Sequence, residues 1–160
     1  MKLKLSLVSG LLALGLSPAL IAMAEVQTFD RFVINIPPGW STEFESGNNE
    51  GYGANLFISK EDQSAMVSYV MEPLASGQWE AMIKEMTDHP KPDTGPAQVN
   101  SANSFLVTFS DHRSGASGKE TYFRINDTSY IKEVTIGYDP DLNGILNSFQ
   151  VNENSLEEEQ

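Results

Sequence analysis

Polar and apolar residues alternate along most of this chain, and the alternation gives way to a helical period in two places. Thr28 to Ile36 (TFDRFVINI) is β-branched and aromatic and stops at Pro37-Pro38-Gly39, a turn signal. Trp40 to Glu45 reads as a second short strand, and Ser46 to Gly53 (SGNNEGYG) is a loop by composition. Ala54 to Lys60 and Ala65 to Met71 are strand-like runs around Glu61-Asp62-Gln63-Ser64, a hairpin turn by its residues. Trp79, Met82, Ile83 and Met86 then fall at i, i+3, i+4 and i+7, while Glu80, Lys84, Glu85 and Asp88 face away. That spacing predicts an amphipathic helix. Ser76 could cap its start, and His89-Pro90-Lys91-Pro92 ends it, because proline disfavours helix in the residue before it.

After a loop to about Asn103, the period returns to two. Phe105, Val107 and Phe109 share one face of Ser104 to Ser110. Thr121, Phe123 and Ile125 share one face of Lys119 to Asn126, and Val134, Ile136 and Tyr138 one face of Ser129 to Tyr138. Such alternation suits a sheet with one well-buried face. The short links between these strands predict antiparallel neighbours. A last helix is expected from Pro140 to Phe149, with Asp139 as its N-cap and Leu142, Ile145, Leu146 and Phe149 as its apolar stripe. The order is ββββ-α-βββ-α. It predicts an α+β domain: an antiparallel sheet of six to seven strands with helices packed on it. One core should enclose Trp79, Phe105, Phe123 and Phe149. Alternating βα units and glycine-rich phosphate loops are missing, which argues against a parallel nucleotide-binding sheet.

The first residues change the picture of where this domain works. Lys2 and Lys4 precede an uncharged apolar run from Leu5 to Leu16, Pro18 interrupts it, and Ala22-Met23-Ala24 offers small residues for cleavage. This is the secretory pattern, too short for an anchor of about 20 apolar residues. Residues 1–24 are expected to be a cleaved signal peptide, 25–151 a single domain, and 152–160 an acidic flexible tail. Localisation should be periplasmic, with no membrane anchor. The net charge of −12 drops to −14 once Lys2 and Lys4 are removed. A protein this acidic repels nucleic-acid phosphates and anionic membrane surfaces, so no nucleic-acid partner is expected. The chain holds no cysteine, which excludes disulfides and thiol chemistry.

Phe32-Val33-Ile34-Asn35-Ile36-Pro37-Pro38-Gly39-Trp40 runs an apolar strand into a P-x-G-W turn, and the domain closes with a strand, a helix and Asn147-Ser148-Phe149. In these features the chain resembles the PsbP-like fold. That group includes periplasmic proteins of the DcrB type, an extrinsic photosystem II subunit and a nuclear Ran-binding protein. The resemblance implies the same α+β architecture and an adaptor or binding role, and it transfers no functional residue.

Three clusters carry possible chemistry. Asp139, Asp141 and Asn143 place oxygens at positions 1, 3 and 5 of a calcium loop, with Gly144 at position 6. Gln150 stands where the closing glutamate belongs, and Pro140 favours starting a helix there. Calcium is therefore the alternative to having no cofactor. Asp111, His112 and Arg113, followed by Ser114, sit in one loop; neighbours in a single loop rarely form a catalytic triad, so they are read as a partner-binding loop. Met66, Met71, Met82 and Met86 could hold cuprous copper, but the helical pair shares the stripe of Trp79 and reads as core. His89 reads as a helix-end residue. No nucleophile is paired with a base. The expected function is a non-enzymatic periplasmic binding or accessory protein, a monomer or weak oligomer. Its partner would be a protein or a cell-envelope component. A carboxylate-based hydrolase is the enzymatic alternative.

Overall fold

The computed structural model describes residues 23–48, 51–110 and 115–151. The fold is α+β, with two antiparallel sheets and two helices. The small sheet pairs β1 (Glu25–Phe29), β2 (Phe32–Ile36) and β10 (Gln150–Val151), with β2 central. The large sheet holds β3 (Trp40–Glu45), β4 (Asn55–Lys60), β5 (Ala65–Pro73), β9 (Ser129–Gly137), β8 (Ser117–Arg124), β7 (Ser104–Ser110) and β6 (Gln98–Ser101), in that spatial order. Helix α1 (Gln78–Asp88) follows β5, and α2 (Leu142–Ser148) follows β9.

Thr28 to Ile36 was expected to be one strand and is instead split by a two-residue turn. Phe29 pairs with Phe32, and Asp30 takes a positive φ of 35°. Aspartate tolerates that backbone better than most residues. Pro37-Pro38-Gly39 does not close a hairpin, because β2 and β3 belong to different sheets. It passes the chain from one sheet to the other. Strand β6 lies where a loop was expected. All four of its residues are exposed, so it has no burial pattern to betray it.

Antiparallel partners point to the same side of a sheet, and neighbours along a strand point to opposite sides. The register therefore sorts the large sheet into two faces. Leu56, Tyr69, Glu133 and Thr121 line up across β4, β5, β9 and β8 on one face. Tyr122, Lys132 and Phe105 belong to the other. Both faces are covered, and the expected single core is two clusters. On the first face, α2 and the small sheet bury Leu142, Ile145, Phe32 and Ile34 against Leu56, Tyr69 and Ile131. On the second, Trp79, Met82, Ile83 and Met86 of α1 pack on Phe105, Val107 and Tyr122. Phe149 and Trp79 thus serve different cores. Phe123 lies on the α2 face, opposite Ile131.

This two-sidedness also corrects the reading of β9. Val134 and Ile136 are only half-buried and Tyr138 is 80% exposed, whereas Ser129, Ile131, Glu133 and Thr135 are buried. The most apolar side of that strand is not its innermost side. The helix starts differ as well. Gly77, at φ 73°, is the N-cap of α1 and Ser76 makes no side-chain cap. Helix α2 begins after Asp141, not at Pro140, while the Asp139 carboxylate accepts the Asp141 amide at 2.9 Å. Among the described residues, no helix is long and apolar enough to cross a membrane.

Candidate functional site

Helix α2 reaches only part of the face it covers. Leu142 and Ile145 enter the core, while Leu146 stays half-buried at the helix's flank. Beside that flank, β7, β8 and β9 leave two adjoining depressions that share Leu146. One is a shallow depression of about 480 Å³, open to solvent and lined by Thr108, Ser117, Lys119, Thr135, Leu142 and Leu146, among others. The other encloses about 270 Å³ between Phe123, Ile125, Glu133, Leu146, Phe149 and Val151. They meet at Leu146 in a groove whose sheet side is polar at Thr108, Lys119 and Thr135 and mainly apolar at Phe123, Ile125 and Ile131.

The floor is set by register. Lys119 lies directly opposite Thr135, and Thr121 directly opposite Glu133. Side chains so paired stand about 4.5–5.5 Å apart at Cβ. Glu133 is only 6% exposed and Thr135 5%. Burial pushes the Glu133 carboxyl above its ordinary value, while the Lys119 charge and the hydroxyls of Thr121 and Tyr69 pull it back. The Thr135 Oγ1 and Tyr69 hydroxyl are both buried without a hydrogen-bond partner. The Tyr69 hydroxyl lies near enough to feel Glu133 but does not close an ordinary hydrogen bond with it. Its ring stacks on Phe149 at 3.8 Å between centroids, which anchors the groove wall to the core. An unmet buried hydroxyl is costly and uncommon. Tyr69 is enclosed beside Glu133, whereas Thr135 lines the larger depression, where a ligand could supply its partner.

The residues singled out from sequence fall elsewhere. Asp139 and Asp141 meet Lys60, whose Nζ lies 3.1 Å and 3.4 Å from their carboxylates and 5.4 Å from the centre of the Trp40 ring. The hydrogen bond to Asp139, supported by Asp141, raises the Lys60 pKa. The positive charge beside these two acids is thus a lysine. Asn143 sits apart from that pair on α2, on the lining of the larger depression. Among the described residues, no group of three or more histidine, aspartate or glutamate side chains is placed to hold a metal. Met71 belongs to the α2-face core, while Met82 and Met86 pack in the α1 cluster, so Met71 does not join the helical pair. The His89 amide donates to the Glu85 carbonyl at the end of α1. Asp111, His112 and Arg113 lie outside the described residues, as do 1–22 and the tail 152–160.

Sequence reasoning passed over Lys119, Tyr69, Glu133 and Thr135. The trace was present in β9, where one side reads Ser129, Ile131, Glu133, Thr135 and the other Tyr130, Lys132, Val134, Ile136. Neither side is cleanly apolar, and a strand covered on both faces with polar groups on each is where a site can hide. No protein-family model matches this sequence, and no curated protein matches it.

Proposed function

We propose that this chain is an exported, non-enzymatic binding or accessory domain of the cell envelope, and that the groove beside α2 is where it takes its ligand. The observation that carries this reading is the Thr135 hydroxyl, buried and without a partner at the edge of a cavity of ordinary ligand-binding size. The leader-like residues 1–24 support export, and the PsbP-like features around Pro37 to Trp40 support a binding role over catalysis. Glu133 is the single acid among the described residues lining the two depressions. A carboxylate hydrolase needs a second acid facing the first, so the lining favours binding.

The test is native mass spectrometry of the protein recovered from the envelope fraction of its own host. The expected result is a mature chain beginning at Glu25 that carries a bound small molecule. Leu146→Trp, which fills the groove from its flank, should lose that molecule while keeping its melting temperature. A chain that retains residues 1–24 sinks the export reading. A bound molecule that survives Leu146→Trp sinks the groove.

A further inference from the structure

We infer that the groove is built for a free single-chain anionic amphiphile, a carboxylate of medium chain length, whose head lies between Lys119 and Thr135 and whose tail runs past Leu146 toward Phe123 and Phe149. This rests on the binding reading above and names its ligand class.

The two ends of the groove differ in chemistry. The larger depression sets the polar Lys119, Thr135, Thr108 and Ser117 beside Phe109 and Leu142. The smaller is walled by Phe123, Ile125, Phe149 and Val151, with Leu146 joining the two. A ligand filling both must be polar at one end and apolar at the other. Their sizes suit one chain, since the joined groove falls well inside the range of about 300–1,000 Å³ usual for small-molecule sites.

The sign of the head follows from which groups still lack partners. Lys119 makes no ion pair among the described residues, lies opposite Thr135 in the β8–β9 register and lines the same depression. The Thr135 hydroxyl is 95% buried by its residue's exposure and unpartnered. An ammonium and a hydroxyl lining one depression are two donors, and a carboxylate is the acceptor able to satisfy both. Glu133 offers the opposite invitation, to a cationic head. It already has the Thr121 and Tyr69 hydroxyls and the Lys119 charge turned toward it, and it sits in the apolar half. A cation reaching it would have to settle beside Lys119.

Isothermal titration of the mature protein with sodium decanoate and decyltrimethylammonium below their micelle concentrations, and with decanol below its solubility limit, tests this. Decanoate should bind, decanol at least ten-fold more weakly, and the ammonium not measurably. Dodecanoate should bind roughly ten-fold tighter than decanoate, as two further methylenes bury. Lys119→Gln should weaken decanoate at least ten-fold and leave decanol unchanged, while Lys132→Gln, on the other face of the sheet, should change neither. Equal binding of decanoate and decanol, both lost in Leu146→Trp, overturns the anionic head and leaves the groove reading standing. Tighter binding of the ammonium, lost in Glu133→Gln, overturns it in favour of a cation. Decanoate binding that persists in Leu146→Trp, or no binding of any probe at millimolar concentration, overturns the proposal outright.

Discussion

The two faces of the large sheet are both buried, yet they are finished differently. Under α1, the buried side-chain polar atoms of the described residues have partners. Trp79 Nε1 donates to the Ala102 carbonyl at 3.1 Å, and the Tyr122 hydroxyl donates to Glu120 at 2.5 Å. Trp79 and Phe105 lie 5.2 Å apart, and Phe105 stacks on Tyr122 at 4.5 Å. None of the buried atoms without partners belongs to this cluster. Under α2, Tyr69 and Thr135 hold hydroxyls unmet, and Glu133 is buried with an elevated pKa. The α1 face leaves no buried side-chain polar atom unpaired among the described residues. The other holds unpartnered hydroxyls and a desolvated carboxyl at a cost in stability, the kind of arrangement the proposed binding site would use.

The largest effect that could break this contrast is Trp79→Ala. Trp79 is 2% exposed at the centre of the α1 cluster. Its loss should cost about 3–5 kcal/mol in urea unfolding. Affinity for decanoate should not change at temperatures where the variant stays folded. A loss of affinity in the folded variant would mean that the two faces are not independent.

Paired tyrosine changes sharpen the contrast at smaller scale. Tyr122→Phe removes a hydroxyl bonded to a carboxylate and should cost roughly 1.5–3 kcal/mol. Tyr69→Phe removes a hydroxyl with no partner and should be neutral or stabilising, by up to about 1 kcal/mol. Thr135→Val should behave like Tyr69→Phe in stability and, unlike it, weaken decanoate. Equal costs for the two tyrosines would erase the difference between the faces.

The pH dependence separates the faces by sign. Glu133 has a folded-state pKa above its ordinary carboxylate value, so the folded chain holds that proton more tightly than the unfolded one. Its contribution to stability is whole at acid pH. It is lost as pH rises from the ordinary carboxylate range through the elevated value, and the loss is constant beyond. Glu133→Gln should therefore match the wild type in melting temperature at low pH and melt higher than it at neutral pH. A difference independent of pH would show that Glu133 is not held in a desolvating site.

Much of this was legible in the chain. The helical stripe of Trp79, Met82, Ile83 and Met86, the hairpin at Glu61 to Ser64 and the antiparallel order of the last three long strands follow from period and turn chemistry, and the α+β class follows from them. What alternation cannot reveal is that both sides of a strand are covered. In β9 the more hydrophobic side, Val134 and Ile136, is only half-buried, because α2 and the small sheet close over Ile131, Glu133 and Thr135 instead. The groove was illegible for the same reason. Its floor joins residues of β7, β8 and β9 whose meeting depends on register, and its roof is the flank of a helix too short to cover them. Asp139 and Asp141 were conspicuous in sequence because they are close together, yet their nearest charge, Lys60, is remote along the chain.

The smallest expected effects lie at the helix starts, where the faces differ again. Ser76 looks like a cap for α1, but Gly77 holds the cap position in a left-handed conformation and no side chain bonds the first turn. Ser76→Ala should stay within about 0.5 kcal/mol of the wild type, the range of an ordinary surface change. Asp139 looks like a cap for α2 and instead fixes the turn before it, through the Asp141 amide and Lys60. Asp139→Ala should cost about 1 kcal/mol, the usual loss when a side-chain oxygen no longer holds a helix-start amide. Because that turn sets where α2 begins, Asp139→Ala should also weaken decanoate modestly, whereas Ser76→Ala should not. If Asp139→Ala moves stability and leaves affinity untouched, the position of α2 over the groove is fixed by Ile145 and Phe149 in the core, and the turn contributes only to folding.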